Sequence, residues 1–249
     1  MQRLQIWFEH YVQGFRDAGG ALPPALELKY LHSLRVAENA RVIAADLGLS
    51  APQVRLAQGC GLVHDVGRFT QFVAYGSFRD ADTVDHGAEG RRTLETQDVR
   101  SRLDPDDWMP VAAAVEYHNR RAEELPDGLA PEADLMLRLV RDADKLDILD
   151  LVLRSVARDG FRELPGMLPQ VRLERAVSPA VLAEAASTGS VSLAGVATLG
   201  DFLVLLASWF RDFNYAPTRR LAIERDLPGR LRRELPDTCG VRELLAGIA

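Results

Sequence analysis

Cysteine is nearly missing from this 249-residue chain: only Cys60 and Cys239 occur. Two thiols cannot build a disulfide framework, and these two lack metal-ligand spacing, so a reduced, intracellular protein stabilised by its core is expected. Long apolar runs are missing as well. The most apolar stretch, 202–210, is about half of the ~20 residues that cross a bilayer, which predicts a buried helix and no membrane partner. The opening MQRLQIWFEHYVQGF lacks a basic start, an apolar run and a small-residue cleavage site, so no signal peptide is expected and a cytoplasmic location is. Nor is there an excess of positive charge: 30 basic residues against 36 acidic ones give a net charge of −6. An acidic surface repels a long polyanion, whose affinity comes largely from phosphate neutralisation. Bulk nucleic-acid binding is therefore not expected, whereas a small phosphorylated molecule in one locally basic pocket is compatible. Alternating strand patterns with hairpin turns are absent too, which predicts an all-α fold.

What is present is helical spacing. From 25 to 49, apolar residues recur at Leu28, Leu31, Val36, Ala40, Ile43, Ala44 and Leu47, the i, i+3, i+4 pattern of an amphipathic helix. Gly48 lies near its end, and Ser50-Ala51-Pro52 reads as a cap with proline in the first turn of the next helix, which runs to about His64. Further helices are expected over 85–96, 110–121 and 131–158. Residues 68–84, 100–109 and 122–130 read as connectors, the first long enough to be functional. After Gly160 the text becomes proline-punctuated, with helices expected over 179–186, 199–213, 217–226 and 228–235.

Five histidines occur: His10, His32, His64, His86 and His118. Four lie on or beside helical segments tens of residues apart, so they could converge from separate helices. His10, in WFEHYV, is left over. His64 is followed directly by Asp65. On the longest helix, the polar cluster Arg141-Asp142-Ala143-Asp144-Lys145 interrupts a core-facing stretch. Burying a carboxylate costs several kcal/mol unless a cation compensates it, and a metal ion is such a cation.

The segments LHSLRVAENA, GLVHDVGRF, VDHGAEG, EYHNRR and RDADKLD, in this order, resemble the HD superfamily of metal-dependent phosphohydrolases over residues 25–155. The resemblance implies an HD-domain helical bundle over 1–160, with a helical extension packed on it over 161–249. It implies that His32, His64, Asp65 and Asp144 hold one metal, and that Asp65 bridges to a second held by His86 and His118. Two divalent ions are thus the expected cofactors, Fe or Mn first, with Zn, Co, Mg and Ni also suited to imidazole and carboxylate ligands. Many binuclear members carry lysine three residues after the HD aspartate, where this chain has Arg68, a permanent charge able to fork onto a phosphate.

Asp65 and Arg68 are accordingly the expected catalytic residues, and Arg35, Arg68, Lys145, Arg79 and Arg120 the expected substrate contacts. Asp85 and Asp142 are candidates for orienting ligands from behind. The reaction implied is hydrolysis of a phosphomonoester or phosphodiester of a nucleotide or small metabolite, with water activated between two metals. Two alternatives share the ligand set: a di-iron oxygenase of the inositol-oxygenase type, and a nucleotide-sensing module without turnover. The sequence leaves self-association into a homo-oligomer open.

Overall fold

The computed structural model describes residues 1–248. Among them are thirteen α-helices and no strand, the sole β pairing being an isolated parallel bridge between Arg172 and Thr198. The fold is all-α. It divides into two compact units, Met1–Asp147 and the residues from Ile148 on.

The first unit holds α1 (Gln2–Gln13), α2 (Pro24–Asp46), α3 (Ala51–Val63), α4 (Gly67–Tyr75), α5 (His86–Thr96), α6 (Trp108–Tyr117) and the first part of α7 (Pro131–Asp159). Helix α2 opens with proline at N1, whose missing N–H is no loss there, and buries Leu26, Val36, Ala40, Ile43 and Ala44 along one face. Ser50 starts α3 with a capping box: its hydroxyl accepts from the Gln53 amide, and the Gln53 side chain accepts from the Ser50 N–H at 3.1 Å.

Helix α4 lies inside the stretch 68–84 that the sequence reads as a connector. Its residues Phe69, Thr70, Phe72, Val73 and Tyr75 are poor helix formers, so local propensity gives no signal. Packing supplies what propensity does not. Phe69 is fully buried, with its ring 5.3 Å from Phe15, 5.8 Å from Tyr11 and 6.3 Å from Phe8. Gly76, in the left-handed region at φ 65, closes the helix by donating its N–H to Phe72 O. Phe8 and Tyr11 of α1, with Phe15 just beyond it, form that aromatic cage, and the Tyr11 hydroxyl donates to Val66 O at 3.0 Å, holding the turn between α3 and α4.

In the second unit come α8 (Leu164–Met167), α9 (Pro179–Thr188), α10 (Leu199–Ser208), α11 (Ala216–Glu224), α12 (Leu227–Glu234) and α13 (Cys239–Ala246). Helix α10 is buried nearly all round, and no helix among the described residues is long and apolar enough to cross a membrane. The sequence reading missed α13, a helix of eight residues that starts at a Thr238 cap.

Asp201 fastens the start of α9 to the start of α10. It accepts from Ser178 N at 2.7 Å, from Ser178 Oγ at 2.8 Å, and from the amides of Ala197 and Thr198 at 3.2 Å. Burial pushes its pKa up, but these hydrogen bonds outweigh burial and hold it below the usual carboxylate range. A carboxyl held down in this way contributes its full stability above the unfolded pKa of ~3.9 and loses it as pH falls through the folded value. Asp201→Ala leaves those donors unpaired and is expected to cost about 1–3 kcal/mol near neutral pH. In urea denaturation, the gap between wild type and variant should be constant from about pH 6 to 8 and shrink below about pH 4.

Candidate metal centre

Six side chains from five helical segments converge in the first unit. His32 comes from α2. His64 follows the last residue of α3, and Asp65 sits in the turn after it. His86 opens α5, His118 follows the end of α6, and Asp144 lies on α7. Three glycines let these helices approach. A Cβ on Gly61 would meet the backbone of Val36 and Ala37 on α2; on Gly67, the backbone of His86 and Gly90; on Gly87, the Glu116 carbonyl. Each glycine lies within three residues of a converging side chain.

Asp65 is at the centre, its side chain 4% exposed. Its Oδ2 is 3.8 Å from both His32 Nε2 and His64 Nε2, while Oδ1 is 3.5 Å from His86 Nε2 and 3.6 Å from His118 Nε2. Asp144 Oδ1 is 3.0 Å from His32 Nε2 and 3.7 Å from His64 Nε2. One carboxylate therefore presents one oxygen to each of two imidazole pairs.

All four rings are oriented the same way. His64 Nδ1 lies 2.8 Å from Gly61 O and His118 Nδ1 2.9 Å from Val115 O, each donating to a carbonyl three residues back at a helix end. His32 Nδ1 meets Asp147 at 2.7 Å and His86 Nδ1 meets Asp80 at 2.5 Å. With each Nδ1 engaged in this way, every Nε2 is turned toward Asp65.

The arrangement fits a metal on three grounds. His64 Nε2 is buried without any hydrogen-bond partner, a cost that a cation would remove. His86 Nε2 and His118 Nε2 lie 3.0 Å apart, close enough to share a proton or to bind one ion side by side. The donor atoms of His32, His64 and Asp144, and of His64, Asp65 and His118, form two groups that could each hold an ion. Imidazole nitrogen with carboxylate oxygen suits borderline divalent metals, and a second hydrogen bond behind each ring is the usual support for such ligands.

Electrostatics divide the rings. Burial pulls His64 down to about 4, against the pull of Asp65 and Asp144. Burial and then the Arg68 charge bring His86 to about 4 as well. Both rings are neutral at physiological pH, as ligation requires. His32 behaves oppositely: burial lowers it, but hydrogen bonds to Asp144 and Asp147 win and raise it to about 9. Burial alone would raise Asp65, yet Lys29 and the imidazoles keep it well below the usual carboxylate range.

The cations expected to meet substrate are mostly engaged. Arg35 forks onto Asp147 at 2.6 and 3.0 Å. Arg68 Nη1 donates to Phe78 O at 2.5 Å, Asp80 at 2.7 Å and Gln71 at 2.9 Å, and its Nε lies 3.7 Å from Asp65 Oδ1. Arg79 pairs with Asp82 and Arg120 with Asp85, both at 3.0 Å. Lys145 is half-buried beside Asp144 and has an interaction of its own. Asp85 caps α5 by accepting from Ala88 N, and Asp142 is fully buried. His10 is exposed, away from the cluster on α1.

Three participants escape the sequence reading. Lys29 reaches Asp65 Oδ2 at 2.9 Å, and its place three residues before His32 on one helix face was an available signal. Asp147, three residues after Asp144, offered the same signal. Asp80 offered none, because it lies in a loop whose path no periodicity reveals.

Residues 30–149 match the model of the HD domain family. No curated protein and no solved structure matches the chain. Over those residues the chain is similar to the HD domain, whose superfamily comprises metal-dependent hydrolases that bind divalent metals.

Asp80→Asn leaves the fold but weakens the buttress behind His86, and should lower divalent-metal affinity about 10–100-fold in a competitive chelator titration. Gly87→Ala forces α5 away from α6. It is expected to cost about 1–3 kcal/mol in chemical denaturation and to weaken metal uptake without touching any donor atom.

Proposed function

We propose that the chain is a metal-dependent phosphohydrolase that cleaves a phosphomonoester or phosphodiester of a nucleotide or small metabolite. The observation that carries this reading is the carboxylate of Asp65, with one oxygen turned to the His32/His64 pair and the other to the His86/His118 pair. Such a bridging donor serves two ions at once, and we take His32, His64, Asp65 and Asp144 to hold one and His86, His118 and Asp65 the other. A pair of divalent ions, Fe or Mn first, supplies Lewis acidity and hydroxide near neutral pH.

The chain's own residues provide the rest. Asp147, Asp80 and the two main-chain carbonyls fix the rings, so little reorganisation accompanies the reaction. Access is from the side of Asp144, Lys29 and Arg68, whose side chains are 18%, 16% and 15% exposed while His64 is sealed. An ester entering there meets a cationic rim. Water oxygen bonds to phosphorus, the ester P–O bond breaks, and the leaving alcohol takes up a proton.

The test is a panel of phosphate esters, with the chain loaded in turn with Mn, Fe, Zn, Co, Ni and Mg. Turnover is expected with at least one redox-inert ion and should fall to background in Asp65→Asn. Inactivity with every ion would remove the hydrolase reading. Activity confined to iron and coupled to oxygen uptake would replace hydrolysis by oxidative cleavage.

A further inference from the structure

Four arginines around the centre each own a carboxylate: Arg35 has Asp147, Arg68 has Asp80, Arg79 has Asp82 and Arg120 has Asp85. These pairs are close to neutral as units. Lys29 differs. Its Nζ sits 2.9 Å from Asp65 Oδ2, and Asp65 is the carboxylate that faces all four imidazoles. Nζ also lies 5.5 Å from the centre of the Phe78 ring, on the loop after α4. A cation held by Asp65 would draw on the same negative charge that now satisfies Lys29, and like charges a few ångströms apart repel. The ammonium then needs another anion, and its four-carbon stem lets it follow one.

We propose that Lys29 binds a phosphoryl oxygen of the substrate, and that through it the centre favours a dianionic phosphomonoester over a monoanionic diester. The inference rests on the metal-dependent hydrolase reading above. Two divalent ions would carry more charge than Asp65 and Asp144 neutralise, and Lys29 adds to that surplus. A monoester, with about −2 charge near neutral pH, offsets more of it than a diester, which carries one charge less. Arg68, in the position where the resemblance expects lysine, is instead the brace that joins Asp80 to the loop carbonyl of Phe78.

The test uses the metal-loaded full-length chain at about pH 8, where inorganic phosphate is mostly dianionic. Inorganic phosphate and dimethyl phosphate are titrated calorimetrically into wild type, Lys29→Met and Lys29→Arg, and metal content is measured for each. Lys29→Met should keep its metal and lose phosphate affinity by about tenfold or more, the worth of one charge-assisted hydrogen bond. Lys29→Arg should recover most of that loss, and dimethyl phosphate should respond less. Unchanged phosphate affinity in Lys29→Met overturns the inference. Loss of metal from that variant also overturns it, since Lys29 would then be a support for Asp65. Faster wild-type turnover of bis(p-nitrophenyl) phosphate than of p-nitrophenyl phosphate overturns the monoester assignment. Lys29-dependent phosphate binding without turnover of any ester would uphold Lys29 as the phosphate contact while removing the hydrolase reading.

Discussion

A buried carboxylate surrounded by four imidazoles is the constraint on which the first unit depends. Asp65 is nearly sealed from solvent, and an ionised group there is tolerable only while cations or donors compensate it on several sides. Helices α2, α3, α5 and α6 each deliver a ring to it, and α7 delivers the second carboxylate. The interior of this unit is therefore organised around charge, with the apolar faces of α2 and the aromatic cage of Phe69 arranged outside that centre.

Backbone proximity makes the convergence attainable. Side chains as short as Asp and His can meet only if their helices nearly touch, and Gly61, Gly67 and Gly87 stand at the contacts where a Cβ would collide with a neighbouring main chain. Local sequence and tertiary geometry are tied here at the level of single atoms. Near His64, Asp65 and His86 a glycine is found because the adjoining helix occupies the space a side chain would need.

Much of this was legible beforehand, for a physical reason. Histidines and aspartates stand out in apolar helical text because burying them is costly, so their order along the chain marked the centre, and helical periodicity marked α2, α3, α5, α6 and α7. Failures came where periodicity carries no information. Helix α4 is stabilised by tertiary packing of residues with poor propensity, and a composition-based reading turned it into a loop. Asp80 lies in irregular chain. The pairing of Arg35 with Asp147 and of Arg68 with Asp80 was not foreseen, because a pairing between distant segments cannot be seen in a single sequence. Lys29 was overlooked although its spacing from His32 placed both on one face.

Two kinds of support stand behind the four rings, and they differ in how they can be lost. Asp147 and Asp80 are side chains, so one codon change removes either. The carbonyls of Gly61 and Val115 belong to the main chain and survive any replacement of their own residue that keeps the helix end intact. Mutational drift in this protein should thus enter unevenly: the ring orientations of His64 and His118 are heritable with the fold itself, whereas those of His32 and His86 must be maintained by selection on two separate carboxylates.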